Sequence, residues 1–158
     1  MTIYFCDTSA VIKLYHSEIG TDRMENIFGD DRSEIIISEL TIAEFFSALN
    51  RKVRTGEITN EAKDAAVRNF RKDCRDRFIV IPLNSETVRQ AVDVISRHGT
   101  RFSIRTLDAL HLAACLSENS DDLKFVCANL NFIRICGLEG VVVINPETDE
   151  ECGTPKFF

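Results

Sequence analysis

A few residues of this chain stand where a fold could use them for chemistry. Asp7 follows the short apolar run Thr2–Cys6 directly, in Cys6-Asp7-Thr8-Ser9-Ala10. Open parallel sheets bind ligands beyond the carboxyl ends of their strands, so an acid there is a site candidate by position. Asp7 would also make a good helix N-cap, and the residues alone leave both roles open. Asp108 is less expected, because its segment, Leu107-Asp108-Ala109-Leu110-His111-Leu112-Ala113-Ala114, is otherwise apolar. A carboxylate in such a helix is costly to desolvate unless it is paired, hydrogen-bonded or metal-bound. Arg105 and Thr106 are near enough for a structural pairing. His111 lies one turn on and shares the face of Asp108, either as a core histidine or as part of a site. Asp108, His111 and Cys115 on one helix make only a weak zinc signature.

Two further positions have the same character. Ser38 follows the β-branched triplet Ile35–Ile37. Thr41-Ile42-Ala43-Glu44 then reads as a capping box, with Thr41 as N-cap and Glu44 reaching back to it. On a helical wheel Glu44 faces away from Phe45, Phe46 and Leu49 and has small neighbours, Ser47 and Ala48. It could therefore line a cleft or face water. Asn129 and Asn131 follow another apolar run, Phe125-Val126-Cys127, where a turn and helix cap are the plain reading.

The elements that must hold these residues alternate in type. Strand patterns fall at Thr2–Cys6, Ile35–Ile37, Phe78–Ile81, Lys124–Cys127 and Val141–Ile144. Helical patterns fall at Ser9–Tyr15, Thr21–Phe28, Thr41–Arg54, Thr59–Arg77 (Thr59 as N-cap), Ser85–Arg97 (Ser85 as N-cap) and Thr106–Leu116. A helical turn follows from about Asn131 to Cys136. Strands alternating with helices predict parallel β-α units in an α/β, three-layer domain of about five strands over residues 1–146. Residues 147–158 are acidic and punctuated by Gly and Pro, and are expected to form a tail.

Composition narrows the function classes. A chain of 158 residues, 44% apolar, is long enough for one good core. No apolar stretch approaches the roughly 18 residues of a membrane span. Met1–Phe5 is uncharged and enters the first strand directly, so no signal peptide is expected. Six cysteines without a C-x-x-C pair predict reduced thiols and a cytoplasmic protein rather than a disulfide framework. The net charge of −6 argues against a general nucleic-acid coat. Residues 51–77, however, carry nine basic and five acidic side chains, against ten basic and twenty acidic elsewhere. Within that segment Arg68, Arg71, Lys72 and Arg75 share one helix face, which is either an RNA-binding phosphate track or a solvated surface. There is no P-loop, G-x-S-x-G or H-E-x-x-H pattern.

Taken together and in order, these strings resemble a PIN domain, and within that family the VapC-like toxins of toxin–antitoxin pairs. The resemblance covers roughly residues 2–146. It is carried by the strand followed by Asp7-Thr8-Ser9-Ala10, by Ser38-x-x-Thr41-x-x-Glu44, by the run from Arg105 to Ala113 around Asp108, and by the strand and turn after Phe125. The resemblance implies a PIN-like fold with an acidic quartet at the strand ends that binds Mg²⁺ or Mn²⁺. Asp7, Glu44 and Asp108 would be three of its catalytic metal ligands. The fourth acid would fall at Asn129, where the family's Thr-x-Asp has become Cys127-Ala128-Asn129. Thr8, Ser9 and Ser38 would hydrogen-bond the carboxylates or phosphate. The resemblance further implies an endoribonuclease acting on RNA, a VapB-like antitoxin partner and a homodimer. Two alternatives stand beside it: a silent PIN-like module that binds RNA or protein, and a Mg²⁺-dependent phosphohydrolase of small molecules.

Overall fold

The computed structural model describes residues 1–148, 151 and 152. Five parallel strands form the sheet: β1 (Thr2–Cys6), β2 (Ser33–Ser38), β3 (Phe78–Ile81), β4 (Leu123–Val126) and β5 (Val142–Ile144). Their order is β3-β2-β1-β4-β5, so β1 is central, with β2 on one side and β4 on the other. The chain leaves β1 toward both neighbours, which makes the carboxyl ends of β1, β2 and β4 a switch point and a natural mouth for a site.

Strand alternation sends side chains into two cores. Cys6, Ile35, Ile37, Val126 and Ile144 face one layer. There they meet α1 (Thr8–Val11), α2 (Thr21–Gly29), α3 (Glu39–Arg54) and α4 (Asn60–Asp76). Phe45 of α3 and Phe70 of α4 stack at 3.9 Å and anchor that layer. Phe5, Ile36, Phe125 and Val143 face the opposite layer. It is built by α5 (Ser85–His98), α6 (Thr106–Ser117) and α7 (Leu130–Leu138). The expected three-layer α/β arrangement is the one observed. Cys6, Cys74, Cys115, Cys127 and Cys136 are free thiols.

Three local expectations are corrected. The third helix begins at Glu39 with Ser38 as N-cap, so Thr41 lies inside the first turn and no capping box forms. The Thr41 hydroxyl is buried without a hydrogen-bond partner among the described residues. Ser38 already ends the strand with extended backbone, and Glu39 in the first turn suits the positive end of the helix dipole. The fifth helix is capped by Asn84 rather than Ser85, its side chain accepting from Thr87 N–H. Finally, two residues of the expected tail join the sheet: β6 (Glu151–Cys152) pairs antiparallel with β5. The otherwise open edge of β5 offers unpaired backbone groups to whatever chain returns past it. Residues 149, 150 and 153–158 of the expected tail lie outside the described residues.

The chain just past β5, at Pro146 and Glu147, is tied down. Gly20 adopts φ +90°, and a Cβ there would stand 2.7 Å from the carbonyl oxygen of Pro146. Only glycine permits that approach. Lys13, 2% exposed, bridges Glu18 at 2.9 Å and Glu147 at 2.7 Å.

Candidate active site

The mouth of the sheet collects the acids from three elements. Asp7 ends β1 and caps α1, its Oδ1 accepting from Ser9 Oγ at 2.6 Å and from the Ala10 N–H at 3.1 Å. The capping and site roles thus coincide in one residue. Ser9 Oγ accepts in turn from the Ala128 N–H at 3.0 Å, which binds the end of β1 to the loop after β4. Burial pushes the Asp7 carboxyl above its usual range, against the pull of His111 and of bonds from Ser9, Cys127 and Ala10.

Glu44 reaches the same mouth from α3. Because no capping box holds it, its Oε2 is free to accept from Thr8 Oγ1 at 2.6 Å and from His111 Nε2 at 2.5 Å. Ser38 Oγ lies 3.4 Å from His111 Nδ1. An ionised carboxylate only accepts, so the Nε2 proton points at Glu44, and the hydroxyl of Ser38 faces Nδ1. Burial raises the Glu44 carboxyl, but the bonds from His111 and Thr8 and the charges of His111 and Arg105 outweigh it and hold it below its usual value. His111 is 2% exposed and belongs to the site rather than to the apolar core alone.

Asp108 lies in the first turn of α6. Arg105 grips it with a two-pronged ion pair, Nε to Oδ2 at 2.8 Å and Nη2 to Oδ1 at 3.2 Å. Asn129 Nδ2 donates to the same Oδ2 at 3.3 Å. Asn129 Oδ1 meanwhile caps α7, accepting from the Phe132 N–H. Asn129 therefore stands beside Asp108, with its amide nitrogen rather than its oxygen turned toward that acid. Asn131 points elsewhere, to the Ser103 carbonyl oxygen.

Beside these groups opens a cavity of about 440 Å³. Thr8, Ser9 and Glu44 line one end, and Ser47, Ala48, Arg51 and Arg54 extend along α3. Arg51 and Arg54 are exposed, and neither has an ion-pair partner among the described residues. The sequence pattern placed both in the basic segment without singling them out. Their signal was the spacing 44, 47, 48, 51, 54, which keeps them on the face of Glu44. Arg68, Arg71, Lys72 and Arg75 are exposed on α4, and none of the four lines this cavity. Arg71 lies over the Phe46 ring at 5.4 Å, and Lys72 pairs with Asp76 at 3.7 Å.

The donor set at the mouth is three carboxylates, hard oxygen donors that suit Mg²⁺ or Mn²⁺ rather than a thiolate-seeking metal, and the Asn129 amide would have to turn its oxygen inward to join them. In the present arrangement Arg105 and His111 occupy two of the carboxylates. Among the described residues no three His, Cys, Asp or Glu side chains converge closely enough to hold an ion. The donor chemistry therefore fits a divalent cation once these internal partners yield.

A three-layer fold with a central β1 and acids at its switch point defines a class, and comparison gives that class its family. The PIN domain model matches residues 4–138, and the chain belongs to the PIN domain family. A comparison with curated proteins returns no match. Among solved structures, VapBC2 from Rickettsia felis, bound to a DNA fragment from its promoter, aligns with TM-score 0.65 and 17% identity over 91% of this chain and 98% of that one. VapC20 from Mycobacterium tuberculosis, a toxin that cleaves the sarcin-ricin loop, aligns with TM-score 0.64 and 18% identity over 83% and 93%. PAE2754 from Pyrobaculum aerophilum aligns with TM-score 0.61 and 20% identity over 90% of each chain. Among the described residues no helix is long and apolar enough to cross a membrane.

Proposed function

We propose that this protein is a Mg²⁺-dependent endoribonuclease, the toxin of a toxin–antitoxin pair, acting in the cytoplasm. The observation that supports the reading is a PIN-family sheet with Asp7 at the end of its central strand and with Glu44 and Asp108 brought to the same mouth by α3 and α6. A bound Mg²⁺ supplies an activated water and charge stabilisation at the phosphoryl group. Asp7 and Asp108 are its principal ligands, Glu44 a further one, direct or through water, and Asn129 the neutral occupant of the fourth position. Thr8 and His111 hold the Glu44 carboxylate in one orientation. Ser9 holds Asp7, and Ser38 fixes the ring of His111.

RNA phosphates are drawn to the mouth by Arg51 and Arg54, about 10 and 15 Å along α3 from Glu44. The α4 cations Arg68, Arg71, Lys72 and Arg75 extend the field over a longer strand. The partner is a small VapB-like antitoxin, and the likeness to VapBC complexes supports that reading. A homodimer belongs to the same proposal.

The substrate class is tested by offering the purified protein a structured RNA oligonucleotide and a generic phosphate monoester side by side with Mg²⁺. Cleavage of the RNA alone is expected. Turnover of the monoester alone would make the chain a small-molecule phosphohydrolase. Binding of RNA without cleavage would make it the silent module that Asn129 keeps in play. Co-expression with the neighbouring open reading frame is expected to yield a stable complex.

A further inference from the structure

The negative charge of the mouth is answered from within the chain. Arg105 occupies the N-cap position of α6, yet its side chain makes no capping bond. It reaches forward three residues instead and meets both oxygens of Asp108, at 2.8 and 3.2 Å. The pair is lopsided: the Asp108 side chain is 12% exposed, the Arg105 side chain 72%. An exposed helix-surface ion pair stabilises little, because water serves both partners nearly as well. Here the carboxylate is mostly shielded and depends on the guanidinium, while the guanidinium has water as an alternative. The charges of Glu44 and Asp7 also act on Arg105, more weakly than that of Asp108.

We propose that Arg105 is a built-in counter-ion that holds Asp108 in the metal-free protein and must be displaced for a divalent cation to bind, so that it sets the metal affinity of the site. The inference rests on the metal-dependent reading above. Its geometry is one of direct competition, since Nε and Nη2 sit on both carboxylate oxygens of Asp108, the atoms this residue would offer an ion. Release needs no backbone change, because a largely exposed arginine swings into water by side-chain rotation alone. Once released, the guanidinium stays tethered at the mouth.

The test is titration of Mg²⁺ into the wild type, Arg105→Gln, Arg105→Lys and Asp108→Asn, with melting curves in the absence and presence of Mg²⁺. Arg105→Gln is expected to bind Mg²⁺ about tenfold more tightly, the effect of removing one competing charge. It is also expected to melt lower without metal and to gain more than the wild type when Mg²⁺ is added. Arg105→Lys, a point charge without the two-pronged fork, should fall between the two. Equal Mg²⁺ affinities for wild type and Arg105→Gln would overturn the proposal and leave Arg105 a structural pairing, with the metal site intact. No Mg²⁺ binding by any of the proteins would overturn both this proposal and the metal-dependent reading beneath it.

Discussion

His111 meets Glu44 across 67 positions of sequence, its Nε2 standing 2.5 Å from Oε2. The contact joins α6 to α3 over the end of the sheet. It turns a histidine that looked like core into the group that orients a site carboxylate. Ser38 at Nδ1 completes a chain of side chains, Ser38–His111–Glu44–Thr8.

From this chain, His111→Gln is expected to keep a donor near Glu44 and retain much of the RNA cleavage. His111→Ala should lower kcat by roughly 10–100-fold, the usual cost of removing a partner that orients a metal ligand. A KM effect without a kcat effect would mean that His111 contacts RNA rather than positions Glu44.

Asp7→Asn is expected to raise the melting temperature of the metal-free protein at neutral pH. The Asp7 carboxyl is raised in the folded state, chiefly by burial, so its ionisation costs stability at any pH above its usual value of 3.8. Asparagine keeps the N-cap of α1 and removes that cost. The same variant should lose any Mg²⁺-induced stabilisation. A lowered melting temperature would show that the Asp7 charge is needed for folding.

How much of this was legible in the sequence follows from the range of each interaction. Strand–helix alternation, the Asp7 strand end and the exceptional setting of Asp108 are local patterns, and each appears where expected. The Arg105–Asp108 pair is three residues long and was visible as a possible pairing. Glu44 was the ambiguous case, because Thr41-x-x-Glu44 satisfies a capping-box pattern that the backbone then declines by starting the helix at Glu39. The bond to His111, the buried Lys13 between Glu18 and Glu147, and the return of Glu151–Cys152 to the sheet all depend on tertiary placement. No local pattern encodes them. The cavity likewise is lined by Arg51, Arg54 and the ion-paired Lys52, whereas the sequence pattern had singled out Arg68, Arg71, Lys72 and Arg75 of the same segment.

Reversal of Arg51 and Arg54 to Glu is expected to weaken RNA binding and to flatten its salt dependence, by about one unit of slope for each phosphate that is no longer neutralised. Reversal of Arg68 and Lys72 on α4 should have a smaller effect. The comparison is read from binding curves at several salt concentrations with non-cleavable RNA. Equal effects from the two pairs would extend the RNA-binding surface over α4. An effect from the α4 pair alone would move the track there.

Stability should also fall on the acid side through a group remote from the site. Arg97 and His98 of α5 bond Glu139 just past α7, at 2.8 and 2.5 Å. Burial raises the Glu139 carboxyl, but these bonds outweigh it and hold it below 4.5. A depressed acid contributes stability that is present above its unfolded value and lost as pH falls through the folded one. Melting temperatures followed from pH 6 to 3 should therefore drop more steeply below about pH 4.5 for the wild type than for Glu139→Gln. Parallel curves would mean the three side chains are not coupled in solution.

The central claim, that a divalent cation held by Asp7, Glu44 and Asp108 drives RNA hydrolysis, is tested most directly by one cleavage assay. Purified wild type and Asp108→Asn are incubated with structured RNA in Mg²⁺ and in excess chelator, and the fragments are resolved by size. Discrete fragments are expected only from the wild type with Mg²⁺, while Asp108→Asn remains folded and inactive. Equal cleavage by the wild type in chelator, or full activity in Asp108→Asn, would contradict the account.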